Sequence, residues 1–148
     1  MVPEKVKKKI LVVDDEPDTR IFISNLLDSD GFSPVLAKDK TEGLKKAIEE
    51  DPAVIIIDMM MPGESGIQMY RALKREEKLK DVPVIMLSTI DKQTFFKFHI
   101  VRGSHSGKVQ MELDTYLEKP PEAEELLGIV RDLAESWTSS GQSNGDNL

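Results

Sequence analysis

Short, uninterrupted apolar runs alternate along this chain with stretches in which apolar positions recur every three or four residues. Residues 10–13 (Ile-Leu-Val-Val), 53–57 (Ala-Val-Ile-Ile-Ile) and 82–87 (Val-Pro-Val-Ile-Met-Leu) are the apolar runs, and β-branched side chains dominate the first two. Runs this short, without polar alternation, read as strands covered on both faces of a parallel sheet. Two weaker runs, 33–37 and 114–118, bring the number of predicted strands to five. Helical spacing fills the intervals. Residues 17–28 place Phe22, Ile23, Leu26 and Leu27 on one face, with Pro17 in the first turn and Gly31 beyond the end. Residues 41–50 offer Leu44, Ala47 and Ile48, and residues 65–77 offer Ile67, Tyr70 and Leu73. A last helix follows Pro120-Pro121. Its opening acids Glu122, Glu124 and Glu125 suit a helix N-terminus. Its stripe is Leu126, Leu127, Val130, Leu133, Ala134 and Trp137. The fourth crossover is less regular: residues 91–102 are helix-compatible, and Gly103-Ser-His-Ser-Gly107 reads as a loop.

Strands that alternate with helices imply right-handed crossovers and a sheet covered on both faces. The predicted fold is therefore α/β, a flavodoxin-like (βα)5 three-layer sandwich. Its parallel five-stranded sheet has the order 2-1-3-4-5, with an irregular or displaced fourth crossover. Residues 9–137 form the domain, 1–8 a basic arm, and 138–148 a flexible tail or the start of a linker, because that stretch has no core-forming side chains before its final Leu148.

Composition narrows the function classes. A length of 148 residues fits one domain. The net charge is 20 − 27 = −7, which disfavours direct nucleic-acid binding. The absence of cysteine excludes disulfides, Cys-ligated metals and thiol catalysis. No apolar run approaches the ~18 residues of a membrane span, and none suits a secretory signal. The expected location is cytoplasmic, without membrane insertion.

The chemistry gathers where the strands end. Asp14 and Asp15 follow the first predicted strand, Asp58 the third and Ser88 the fourth, while Lys119 follows the fifth. Open α/β sheets bind ligands beyond the carboxyl ends of their strands, at the switch point of the topology. Neighbouring parallel strands lie about 4.8 Å apart, so Asp14 or Asp15 should stand within roughly 5–7 Å of Asp58. Two unit charges ~4 Å apart at an effective dielectric of 20 repel by about 4 kcal/mol. Either the carboxyl pKa values rise or a cation enters. An all-oxygen, shallow site suits Mg²⁺. A metal, a lysine and a hydroxyl around one aspartate make a receptor for a phosphoryl group, with the aspartate itself able to act as nucleophile.

Val-Val-Asp14-Asp15-Glu16-Pro17, Ile-Ile-Ile-Asp58-Met-Met-Met61-Pro62-Gly63, Val-Ile-Met-Leu-Ser88-Thr89 and Tyr116-Leu-Glu-Lys119-Pro120 together resemble the receiver domain of two-component response regulators. The resemblance runs from about residue 9 to residue 137. It implies that Asp58 accepts phosphate from a sensor histidine kinase or a histidine phosphotransfer protein, and that the domain then switches its contacts with an output protein. It implies Mg²⁺ bound by Asp15, Asp58 and the Met60 backbone carbonyl, with Asp14 acting mostly through a water. It implies that Lys119 and Ser88 contact the phosphoryl group, that Tyr116 is a switch aromatic, and that the Lys119–Pro120 peptide is cis. It also allows a homodimer. Such a domain is not an enzyme; it catalyses only its own phosphorylation and dephosphorylation.

Two departures from that pattern carry expectations. Thirty-one positions separate Ser88 from Lys119, more than the family usually shows, so the fourth crossover helix is expected to be displaced and the loop 103–110 mobile. Met60 and Ile90, two positions beyond Asp58 and Ser88, are apolar and should fail to orient a hydrolysing water, giving slow self-dephosphorylation. A receiver-like interaction module that uses no phosphorylation is the alternative reading. A haloacid-dehalogenase-type phosphatase would need an acid where Met60 stands. A flavin site would need a phosphate loop after the first strand. His99 and His105 read as solvated, the 59–61 methionines as loop packing, and residues 5–9 as an exposed basic lead-in to the first strand.

Overall fold

The computed structural model describes residues 6–91, 93–94 and 115–137. Five parallel strands are present: β1 (Lys9–Val13), β2 (Ser33–Ala37), β3 (Val54–Asp58), β4 (Val84–Ser88) and β5 (Thr115–Glu118). They lie in the order β2-β1-β3-β4-β5, the order expected of a flavodoxin-like sheet. Four helices are described in full: α1 (Pro17–Ser29), α2 (Lys40–Glu50), α3 (Ser65–Arg75) and α4 (Ala123–Ala134), with a single 3₁₀ turn at Pro62–Glu64. The expected displaced fourth crossover, the mobile 103–110 loop and both histidines lie outside the described residues.

The period-two geometry of a strand divides its side chains between two layers. Leu11, Val13, Ile55, Ile57 and Met86 pack with Ala47 of α2 and with Met69 and Leu73 of α3. Ile10, Val12, Val54, Ile56, Ile85 and Leu87 pack with Ile23 and Leu27 of α1 and with Leu126 and Val130 of α4. The central strands are apolar on both faces because both faces are covered. The fourth strand starts two residues later than its apolar run. Pro83 has no N–H for the ladder; its carbonyl accepts from Ile55 N–H at 3.0 Å, and pairing continues from Val84.

Two expected core positions are corrected. Phe22 is 45% exposed and Ile48 is 50% exposed. The i, i+4 pair Ile23 and Leu27 occupies the buried line of α1, which leaves Phe22 on its flank. In α2, Gly43 and Ala47 occupy the buried line instead. A Cβ on Gly43 would come within 2.8 Å of Met69 and 3.0 Å of Val13, so small residues let α2 approach α3 and the sheet. α3 stops at Arg75 and α4 at Ala134, each slightly short of the predicted end, and half-buried Trp137 packs against the α1/α4 layer from beyond the helix.

Strand register aligns the polar residues. Val13 pairs with Ile57, Asp58 with Leu87, and Ser88 with Glu118. One further residue along β1 is Asp14 and one further along β5 is Lys119. The ladder hydrogen bonding runs on past the strand ends: Asp14 N–H donates to Ala37 O at 3.1 Å, Met59 N–H to Leu87 O at 2.8 Å and Lys119 N–H to Ser88 O at 2.8 Å.

Candidate functional site

Asp14, Asp58 and Ser88 are the polar or charged side chains buried among the described residues, at 1%, 3% and 0% exposure. All three stand at the carboxyl rim of the sheet. Carboxylate oxygens of Asp14, Asp15 and Asp58 lie within 4.8 Å of one another, and Asp15 is the exposed member. Lys119 reaches in from the end of β5. Its Nζ is 2.9 Å from Asp14 Oδ2, 3.4 Å from Asp58 Oδ2 and 3.4 Å from Glu16 Oε1. Asp14, Asp15, Asp58 and Lys119 thus meet at the strand ends, as expected, with Asp58 and Ser88 as the last residues of their strands rather than the first beyond them. The Lys119–Pro120 peptide is cis, as the resemblance implies.

Each buried carboxylate is held by backbone. Asp58 Oδ1 accepts from Met60 N–H at 2.9 Å. Asp14 Oδ1 accepts from Glu16 N–H at 2.8 Å, and the Asp14 carbonyl accepts from Arg20 Nη1 at 2.6 Å. Asp14 Oδ2 accepts no directed hydrogen bond from a described residue; its charge partner is the Lys119 ammonium. Burial pushes the Asp58 carboxyl up to about 6; the Met60 amide opposes the rise, the charge of Asp14 adds to it and Lys119 opposes it. Burial acts to depress Lys119, but its pairing with Asp14 and Asp58 outweighs that, and its pKa stands above the ordinary lysine value.

The donor set fits a hard divalent ion. Three carboxylates converge, all ligand atoms are oxygen, and among the described residues a single ammonium, that of Lys119, stands against the buried pair Asp14 and Asp58. Ser88 Oγ accepts from Ile90 N–H at 2.9 Å. The Tyr116 ring is buried and its hydroxyl donates to the Ile90 carbonyl. Burial raises the phenol pKa, while a hydrogen bond with Ser88 acts against the rise. Tyr116 and Ser88 are therefore linked both directly and through the turn at Ile90. Met59 and Met61 are 3% exposed, the loop packing expected of them, whereas Met60 stands 49% exposed at the rim. Ile90 is half-buried and packs against the α2/α3 layer.

A family model for the response regulator receiver domain matches residues 10–131. The chain belongs to that family. The receiver is 36% identical over 124 residues to the phosphate regulon transcriptional regulatory protein PhoB of Escherichia coli (strain K12), covering 84% of this chain and 50% of that protein. The chain thus spans about half the length of such relatives. Protein PilH of Pseudomonas aeruginosa is 33% identical over 122 residues, 82% of this chain and 93% of its own. Among solved structures, the receiver domain of Francisella response regulator 1452 matches with a TM-score of 0.70 at 31% identity, over 87% of this chain and 98% of that one. Residues 10–131 are thus a receiver domain, a phosphoacceptor signalling module, with an acidic pocket at Asp14, Asp15 and Asp58. No helix among the described residues is long and apolar enough to cross a membrane.

Three further residues support the receiver site. Gly66 opens α3 directly beneath it: a Cβ there would come within 2.7 Å of Met59 Cα and closer still to the Asp58 carbonyl. A glycine just after the Pro62-Gly63 turn was the available sequence signal. Arg20 and Glu16 carried less. Arg20 meets the Asp14 carbonyl because it lies about one turn into α1. Glu16 reads as a helix-terminal acid in sequence, yet it sits at the N-cap of α1 without capping it.

Proposed function

We propose that the receiver accepts a phosphoryl group on Asp58 from a phosphohistidine of a sensor kinase or phosphotransfer protein. An Asp58 oxygen attacks phosphorus, the P–N bond breaks, the imidazole leaves and is protonated, and an aspartyl phosphate remains. The observation that carries this reading is the meeting of buried Asp58 with Lys119 at 3.4 Å beside Asp14 and Asp15. Asp15, Asp58, the Met60 carbonyl and Asp14, the last mainly through a water, would hold Mg²⁺, which supplies charge neutralisation for the transferring phosphoryl oxygens. Lys119 supplies a second positive charge from the β5 side. The Met60 amide keeps Asp58 Oδ1 fixed, so the carboxylate needs little reorientation. Ser88 turns its hydroxyl from the Ile90 amide to the phosphoryl group, and Tyr116, joined to the same turn, follows it.

The working unit in this proposal is residues 9–137, acting in the cytoplasm, with a protein as the recipient of the signal and no direct contact with nucleic acid. Incubation with acetyl phosphate and Mg²⁺ tests it. One added phosphoryl mass is expected, absent in Asp58→Asn and absent with EDTA. An unlabelled wild type, or label that survives Asp58→Asn, would overturn the assignment; the former would favour the phosphorylation-independent module.

A further inference from the structure

Glu16 is an unusual N-cap. Its backbone is extended (φ −95°, ψ 118°), its side chain makes no capping hydrogen bond, and Pro17 follows it. The carboxylate turns instead toward Lys119, 3.4 Å from the ammonium, and Thr19 Oγ1 donates to the same Oε1 at 3.3 Å. Glu16 is 64% exposed at the side chain, whereas Asp14 and Asp58, the other partners of Lys119, are 1% and 4% exposed. One ammonium is therefore shared between an inner pair of buried carboxylates and an outer one open to solvent. The outer contact lines a recess of about 430 Å³ whose walls include Thr19, Phe22, Thr89 and Pro121.

We propose that Glu16 is a positioning residue, an outer seat for the Lys119 ammonium that competes with the phosphoryl group on Asp58. The inference rests on Asp58 being the phosphoacceptor. As phosphoryl charge accumulates at Asp58, the ammonium is drawn inward and its contact with Glu16 lengthens. The outer seat thus slows phosphoryl acceptance slightly, since part of the ammonium's attraction is spent on Glu16 in the resting receiver. Solvent-exposed ion pairs are weak, so the effect is modest, about two- to fivefold in rate.

Three variants separate this from general electrostatics. Glu16→Gln removes the charge and the seat. Glu16→Asp keeps the charge but shortens the arm and favours capping of α1, so it removes the seat alone. Asp18→Asn removes a neighbouring charge that lines the same recess without an ion pair to Lys119 among the described contacts. Phosphorylation by acetyl phosphate with saturating Mg²⁺ is expected to quicken about threefold in both Glu16 variants and to stay near wild type in Asp18→Asn. A wild-type rate in Glu16→Asp, or an equal gain in Asp18→Asn, would overturn the proposal. A second readout does not depend on phosphorylation: with ¹³C-labelled lysine and no metal, the Lys119 Cε resonance should move in both Glu16 variants and not in Asp18→Asn. No movement refutes the seat. If the wild type takes no phosphoryl group, the assignment of Asp58 fails, and the resonance still decides the role of Glu16.

Discussion

Replacing Asp58 with Asn should stabilise the metal-free protein at neutral pH, and the gain should fade in acid. The carboxyl is buried at the end of β3, and burial, with repulsion from Asp14, lifts its pKa from 3.8 to about 6. A group that binds its proton more tightly in the folded state favours folding while it is protonated. Its contribution is complete below pH 3.8 and is lost as pH rises through about 6. At about 1.36 kcal/mol per pH unit, that interval amounts to about 3 kcal/mol at pH 7.5 and about 1 kcal/mol at pH 4.5. The attraction of Lys119 already opposes the rise, so it is not counted again. Asparagine keeps an acceptor for the Met60 amide and carries no charge. Urea unfolding in EDTA is the assay, with wild type and Asp58→Asn compared at pH 4.5, 6.0 and 7.5. The expected gap is about 2–3 kcal/mol at pH 7.5, shrinking toward about 1 kcal/mol at pH 4.5. Added Mg²⁺ should close the gap from the wild-type side, since a ligand that binds only the folded state stabilises it by mass action. A variant no more stable than wild type at pH 7.5, or a gap that does not change with pH, would refute the account of burial and repulsion.

Gly66→Ala should cost about 3 kcal/mol or more in urea unfolding and weaken Mg²⁺ binding measured by calorimetry, because the new methyl meets the Asp58 and Met59 backbone. An unchanged unfolding midpoint would show that α3 can draw back freely. Lys119→Met should slow labelling by acetyl phosphate by at least about tenfold, through loss of the charge 3.4 Å from Asp58; a rate near wild type would remove Lys119 from the transfer. Met60→Asn should shorten the phosphoryl lifetime, followed by intact mass against time, by about tenfold, since a polar side chain at that exposed rim can orient water. A wild-type lifetime already as short as the variant's would reject slow self-dephosphorylation.

Most of the fold was legible because a doubly covered parallel strand has a plain signature. Residues 10–13 and 53–57 carry no polar residue, and such a run demands cover on both sides. Strand order then placed Asp14 and Asp58 side by side, and their carboxylate oxygens do lie within 4.8 Å. Helix faces were less legible. Phe22 and Ile48 each sit one position from a truly buried residue, Ile23 and Ala47, so a flank looks like a face when only spacing is considered. What could not be read was orientation at the rim. Nothing in Asp14-Asp15-Glu16 says that the first acid turns inward to Lys119, that the second stays exposed, and that the third leaves its helix N-cap uncapped. Those outcomes depend on Lys119, more than a hundred positions away, and on Arg20 holding the Asp14 carbonyl.

The site's chemistry also explains why it stands at the very ends of β1, β3 and β5, within reach of the ladder, rather than out on long loops. Burying clustered carboxylates is unfavourable: burial, with the charge of Asp14 adding to it, raises the pKa of Asp58. A flexible loop would relieve that repulsion by moving apart. Here Asp14 N–H is tied to Ala37 O, Met59 N–H to Leu87 O and Lys119 N–H to Ser88 O, so the strand ends cannot spread without breaking ladder hydrogen bonds. Repulsion held in place in this way is relieved by whatever brings positive charge. It is increased when a phosphoryl group brings more negative charge. The elements able to respond are those not locked by the ladder: the Lys119 side chain, the Ser88 hydroxyl, and the turn at Ile90 to which Tyr116 is bonded. A rigid acidic rim beside a few movable donors converts a change of charge at Asp58 into a change of shape nearby, because the Lys119 ammonium that offsets Asp14 and Asp58 in the resting protein must be shared anew when that charge changes.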